Sequence, residues 1–274
     1  VRTMDARDLD VAIGWAAGEG WNPGHEDAAA FLQADPTGFL MGWLGAEPVS
    51  AISVVRHAAG FGFLGLYLVA PGKRGRGFGL ATWQAGMAYL GARVVGLDGV
   101  PAQQENYRRS GFALVHQTQR HRGAIRGAPD PAVRDATLED LPALRALDRD
   151  IGGIEHPLYL DAWFRPAATR HTMLLAEGGS VRALGTIRAC REGHKIGPLL
   201  APDAPTAERM LRALVARAGA RQVMVDIPDP NTAGVAMARA LGLTPMFACA
   251  RMYKGAPPVR DLTRLFGETT FELG

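Results

Sequence analysis

The chain has 274 residues, 47 % of them apolar and 21 % charged. That length favours two domains, with enough apolar material for sizeable cores. The net charge of +3, from 30 basic and 27 acidic residues, is too balanced for nucleic acid or an anionic membrane to be the main partner. No stretch reads as a signal peptide or a membrane span, so a soluble cytoplasmic protein is expected. Cys190 and Cys249 lie in apolar runs and read as small buried hydrophobes rather than a disulfide framework. No Cys/His spacing argues for a metal.

In chain order, residues 8–18 have helical periodicity, with Leu9, Val11, Ala12, Ile13 and Trp15 available for a core face. Turn residues from Glu19 to Gly24 break it, and residues 26–33 read as a second helix ended by Asp35-Pro36. Strands follow at 38–44, 48–57 and 61–69. A glycine-arginine stretch leads into a helix to Leu90. A strand at 93–98, a short helix at 103–109 and a strand from Phe112 complete an α+β order. The Gly-, Pro- and Arg-rich stretch from His121 to Pro131 reads as a linker.

Beyond it the order recurs. Thr137–Asp140 carries a capping-box-like pattern. Strands are expected at 171–176, 181–188 and 195–200, then a helix at 204–218, a strand at 222–227, a helix at 232–240 and a strand to Met252. The second half thus reads as a diverged copy of the first.

The stretch Arg74-Gly75-Arg76-Gly77-Phe78-Gly79 stands where a strand ends and a helix begins. Free backbone N–H groups and the positive end of the helix dipole meet there, and glycine lets the backbone approach a ligand, so a phosphate or pyrophosphate is favoured. No Lys-Ser or Lys-Thr pair follows, which excludes a P-loop. Gly75 and Gly77 fit a dinucleotide fingerprint, but its third glycine would fall on Leu80. What remains is Arg74-x-x-Gly77-x-Gly79.

This pattern resembles the R/Q-x-x-G-x-G/A pyrophosphate loop of GCN5-related N-acetyltransferases (GNAT). The resemblance continues upstream through Leu66–Val69 and Ala70-Pro71. Downstream it includes Asn106-Tyr107-Arg108-Arg109-Ser110-Gly111-Phe112, similar to that family's Y-x-x-x-G-F segment. It implies an α+β fold of two tandem GNAT-like domains, each a mixed, mostly antiparallel sheet flanked by helices. The expected division is an acetyl-CoA-binding domain at 1–122, a linker at 123–131 and a degenerate domain at 132–274. In the second half the loop position holds Gly197–Asp203, which lacks the arginine and the glycine spacing. The final residues, from Arg251 to Gly274, resemble the end of a bacterial tandem subgroup.

The resemblance implies direct transfer of an acetyl group from acetyl-CoA to a primary amine, small-molecule or peptide, with no metal. Arg74, Gly75, Arg76, Gly77, Phe78 and Gly79 would hold the pyrophosphate, and the backbone of Leu68 and Val69 the pantetheine arm. Tyr107 would protonate the departing thiolate. Asp98, at a strand end beside the cleft, would deprotonate or bind the amine, or merely cap a turn. Glu105 and His116 are weaker candidates for the same role. The family's asparagine seven residues before the tyrosine is Val100 here, which leaves Gln103 and Gln104 as polar contacts. In this fold the loop holding Trp21 and Asn22, with His25 and Glu26 following, helps wall the acceptor site, so Trp21 and Asn22 are expected to bind substrate. Asp161, Arg165, His171 and Asp226 could complete an acceptor pocket, though paired structural charges are the ordinary reading. A homodimer stays open, and a non-catalytic CoA-binding sensor is the alternative function.

Overall fold

The computed structural model describes residues 1–274. After a two-residue strand β1 (Arg2–Thr3), helix α1 (Ala6–Gly18) starts at a capping box in which Asp5 and Asp8 each accept from the other's backbone N–H. Helix α2 (Asp27–Ala34) follows. Strands β2 (Phe39–Leu44), β3 (Glu47–Ala58) and β4 (Phe61–Val69) form an antiparallel meander. Helix α3 (Phe78–Leu90), strand β5 (Val94–Gly99), helix α4 (Gln104–Arg109) and strand β6 (Ala113–Gly123) complete the first half. A short strand β7 (Val133–Asp135) opens the second. It continues with α5 (Leu141–Gly152), α6 (Pro157–Phe164), β8 (Arg170–Glu177), β9 (Ser180–Ala189), β10 (His194–Leu200), α7 (Ala204–Ala218), β11 (Val223–Pro228), α8 (Thr232–Ala240), β12 (Thr244–Lys254) and β13 (Leu265–Gly267).

The order of helices and strands occurs twice, yet the strands form one mixed, mostly antiparallel sheet in the order β1-β2-β3-β4-β5-β12-β6-β11-β10-β9-β8-β7, with β13 against β10. The last strand of each half crosses over: β12 lies between β5 and β6, and β6 between β12 and β11. Only β4/β5 and β10/β11 are parallel. The expected linker is accordingly shorter at its start. His121, Arg122 and Gly123 are not linker but the end of β6, paired with Val225, Met224 and Val223. Helix α6 and the short strands β1, β7 and β13 are additions to the sequence reading.

Alternate residues of β3 face opposite layers, as period-two burial requires. Ala51 and Val55 pack under α1 and α2, while Ile52 and Val54 pack under α3. The α1/α2 layer continues into α5 and α6 as one apolar core, in which Phe31 and Trp163 stack with centroids 6.2 Å apart. On the other face, α7 and α8 cover β9–β11. No helix is long and apolar enough to cross a membrane.

Candidate active site

The parallel ladder between β4 and β5 runs from Phe61/Val94 to Leu64/Leu97 and then stops. Past that point β4 keeps its other neighbour, with Gly65 opposite Ser53 and Leu68 opposite Ala51. The register shifts between these pairs, and Leu66 takes a positive φ of 43°. This bulge turns the strand away from β5, as bulges do. The two strands therefore part, and the β5-facing backbone edge of Leu66–Val69 has no strand partner.

A cavity opens in the gap. Leu64, Leu66 and Tyr67 line it from β4, Leu97 and Asp98 from β5, and Tyr107 from α4. The far wall comes from elsewhere in the chain: Trp21, Arg120, Phe247, Cys249, Phe271 and Glu272. Tyr67, Gln103 and Tyr107 also line a second groove, shared with Leu80 and Trp83 of α3 and Asn106 of α4. Tyr107 thus stands between an outer groove and an inner cavity.

The glycine-arginine stretch lies at the start of α3. Gly75 and Gly77 have φ of 74° and 84°, which only glycine adopts without strain, and both face open space. A Cβ on Gly79 would sit 2.9 Å from Val69, so that glycine permits close packing of α3 on β4. Helix α3 has no side-chain cap and no acidic residue in its first turn. Its first N–H groups therefore have no side-chain acceptor. Arg74 is exposed; it donates to Glu19 and, through Nε, to the Val69 carbonyl at 3.2 Å. The Arg76 guanidinium lies 5.2 Å from the Phe78 ring centre.

The corresponding junction of the second half is filled by the protein itself. Asp203 caps α7, accepting from the Thr206 N–H at 2.9 Å. The parting of β10 from β11 is plugged by residues 265–269. Leu199 and Leu200 pair with β13, and a Cβ on Gly197 would lie 2.1 Å from the Glu268 carbonyl oxygen. The same segment then crosses to the first half, where a Cβ on Gly65 would lie 2.1 Å from the Glu272 carbonyl oxygen.

Tyr107 is buried against Trp83, with ring centres 5.8 Å apart. Burial pushes its hydroxyl well above the usual phenol range, so it stays protonated. Asp98 reaches the cavity wall, but its carboxylate is not free. Arg251 donates to both oxygens at 2.8 Å, and Arg251 also lies 3.3 Å from Glu268. Its side chain is buried in an ion pair between exchanged strands.

Trp21 lines the cavity, and its carbonyl accepts from Arg120 and Lys195. Asn22 does not reach the cavity. Its amide donates to the Glu192 carbonyl at 2.8 Å and accepts from the Glu192 N–H at 2.9 Å, which ties the loop to the β9–β10 turn. Glu26 is held by Thr169, Glu105 pairs with Arg108 on the surface, Asp161 pairs with Arg145, and Asp226 pairs with Arg120. His116 is buried with neither ring nitrogen partnered, and burial with Arg251 nearby pushes its pKa down to about 4. Gln104 donates to the Gly99 carbonyl, while Gln103 lines the cavity. Burial raises the Cys249 thiol well above its ordinary range, so it is held as the neutral thiol. Arg120, Phe247, Phe271 and Glu272 escaped the sequence reading, because only the strand exchange and the final segment bring them here.

A bulged β4 parting from β5, with an uncapped glycine-rich helix start beside the gap, defines an acetyltransferase of the GNAT type. The comparisons give the same family, with the family model matching the second half of the chain and not the half that holds this gap. Residues 144–267 match the acetyltransferase (GNAT) domain family. The chain is 31 % identical over 265 residues to holothin acyltransferase of a Pseudoalteromonas species, covering 95 % of this chain and 89 % of that protein. Among solved structures, a candidate acetyltransferase from Pyrococcus horikoshii superposes with a TM-score of 0.83 at 19 % identity, covering 100 % of this chain and 95 % of the other. A tandem GNAT protein from the clavulanic acid biosynthesis pathway gives 0.65 at 14 % identity, with coverage of 94 % and 98 %. The chain belongs to the GCN5-related N-acetyltransferase family, the acyl-CoA-dependent acyltransferases of this fold.

Proposed function

We propose that the protein transfers an acetyl group from acetyl-CoA to a primary amine, and that one cofactor-binding module, the first half, serves the whole chain. The difference between the two helix starts carries this reading. At α3 the N–H groups stand open beside Arg74, Gly75, Arg76, Gly77, Phe78 and Gly79. At α7 the same position is taken by the Asp203 carboxylate, and the adjoining gap by residues 265–269. An anion binds where helix N–H groups without a capping carboxylate meet guanidinium groups, and here it would take over Arg74 from its partner Glu19. The second half is then a degenerate GNAT-like module at 132–274 that walls the acceptor site.

In this reading the pyrophosphate rests on the Arg74–Gly79 stretch, and the free edge of Leu68 and Val69 offers backbone groups to the pantetheine arm. The amine attacks the thioester directly, and the Tyr107 hydroxyl protonates the leaving sulfur. Tyr107 suits this because it stays protonated and borders both cavities. The buried, protonated Cys249 fits a path without a covalent enzyme intermediate. The likeness to holothin acyltransferase makes holothin the first acceptor to assay.

The test is calorimetric titration of acetyl-CoA into the wild type and an Arg74→Ala/Arg76→Ala double variant. One site per chain, weakened at least tenfold in the variant, is expected. Two sites would show that the second half also binds CoA. No binding by folded protein would remove the acetyltransferase reading.

A further inference from the structure

Two acidic residues, Asp98 and Glu272, line the inner cavity. Asp98 is neutralised by Arg251 through two hydrogen bonds. Glu272 is different. It is 5 % exposed, and its Oε2 is buried with no hydrogen-bond partner. The cations within its electrostatic reach are otherwise engaged. Arg120 is committed to Asp226 and the Trp21 carbonyl, Arg188 to Asp27, and Lys195 to the Trp21 carbonyl. A buried carboxylate oxygen left without a donor is costly, and such groups persist where a ligand supplies the missing partner. An ammonium group would bring charge-assisted N–H donors to that oxygen.

The rest of the wall indicates what carries that ammonium. Phe247 and Phe271 lie with ring centres 6.2 Å apart, and the flat Arg120 guanidinium covers both at 5.6 and 5.1 Å. Trp21 adds a third aromatic surface. A polyamine or aminosugar carries several charges, and these walls offer no further unpaired carboxylate to meet them. A flat, apolar body bearing one amine matches the three rings and the single free acid.

We propose that Glu272 receives the acceptor ammonium and takes its proton, in a pocket built for flat aromatic primary amines. This rests on the acetyl-transfer reading above. One proton passes from the ammonium to Glu272, and the freed lone pair attacks the thioester carbonyl. The C–N bond forms and the C–S bond breaks. The sulfur takes the proton of Tyr107, the amide nitrogen sheds its second proton to restore Tyr107, and the proton on Glu272 leaves to solvent. The sum is ammonium plus thioester giving amide, thiol and one proton. Glu272 thus does the work expected of Asp98, from a segment that plugs the second half and ends at the β4 bulge of the first.

The experiment compares wild type, Glu272→Gln and Glu272→Asp with benzylamine, tryptamine and holothin as acceptors. Calorimetry with acetyl-CoA and thermal unfolding are measured on each. Glutamine keeps the shape, so acetyl-CoA affinity and melting temperature should stay near wild type. kcat/KM for the amine should fall at least a hundredfold at pH 7. The loss should shrink as pH approaches the pKa of the amine, because a free amine needs no base, and Glu272→Asp should recover part of the rate. Wild-type kcat/KM within threefold in Glu272→Gln would overturn the proposal. So would a wild type that binds acetyl-CoA but acetylates none of the three amines, which leaves the cofactor reading standing. A wild type that binds no acetyl-CoA would overturn both.

Discussion

Arg251 and Asp98, 153 residues apart in the chain, meet through two hydrogen bonds of 2.8 Å at the seam where β12 joins β5. Arg120 and Asp226 meet in the same way, at 2.7 and 2.8 Å, where β6 joins β11. In each seam the arginine rides on the strand that has crossed over and the aspartate waits on the strand it joins. The repeat marks the pair as a fastening of the sheet.

Arg251→Met would therefore leave Asp98 buried without its cation. Breaking one partner of such a pair costs about 3–5 kcal/mol, which urea denaturation would show as a lowered midpoint. Asp98→Asn should also destabilise the fold. An Asp98→Asn protein with an unmoved unfolding curve but no acetyl transfer would instead return Asp98 to the role of base.

Gly65→Ala places a methyl 2.1 Å from the Glu272 carbonyl oxygen, and Gly197→Ala places one 2.1 Å from that of Glu268. Both neighbours are backbone and cannot swing aside. Each change should cost about 1–3 kcal/mol as overpacking does. Only Gly65→Ala should also lower acetyl transfer, because only that bulge lines the inner cavity. Denaturation curves with steady-state rates on the two variants separate the effects.

Tyr107→Phe should lower kcat about 10²-fold with little change in acetyl-CoA binding, the range in which a general acid contributes. The hydroxyl is raised above its ordinary 10 by burial. It keeps its proton through the physiological range, so the alkaline limb of the wild-type pH–kcat profile should lie above pH 10. A limb near 8 or 9 would mean that another group supplies the proton.

His116 is neutral in the fold, pushed to about 4 from an ordinary 6.5 by burial and Arg251. Above pH 6.5 neither the folded nor the unfolded form binds this proton. As pH falls toward 4 the unfolded chain takes it and the native one does not, so stability is lost, by about 3 kcal/mol at most. His116→Leu removes that titration and leaves no ring nitrogen unpartnered. Its denaturation midpoint should exceed that of wild type by more at pH 5 than at pH 8.

Local chemistry was legible where one segment settles its own conformation. The bounds of β4, α7 and α8 follow directly from apolar runs and caps, and the Arg74–Gly79 stretch announces its positive-φ glycines and open helix start. What could not be read was which strand lies beside which. The apolar pattern of β12 suits a place beside β11 as well as one beside β5, so the exchange left no local mark. Glu272 was hidden for the same reason, since nothing in Thr270-Phe271-Glu272-Leu273 indicates a cavity wall. A polar residue near a cleft, such as Asn22 or Asp98, looks alike in sequence whether it meets a ligand, the Glu192 backbone or the Arg251 side chain.

The exchange of β6 and β12 also governs how the chain can come to its final shape. The seam at β5 stays open until residue 254 has been synthesised, because its neighbour is the last long strand. Meanwhile β6 has no lasting place until β11 appears. Contacts over such separations form slowly and leave strand edges unprotected while they wait. Emergence from the ribosome thus cannot deliver a finished first half followed by a second. The two halves must mature together, and any lineage that lost one would have to rebuild the seam of the other.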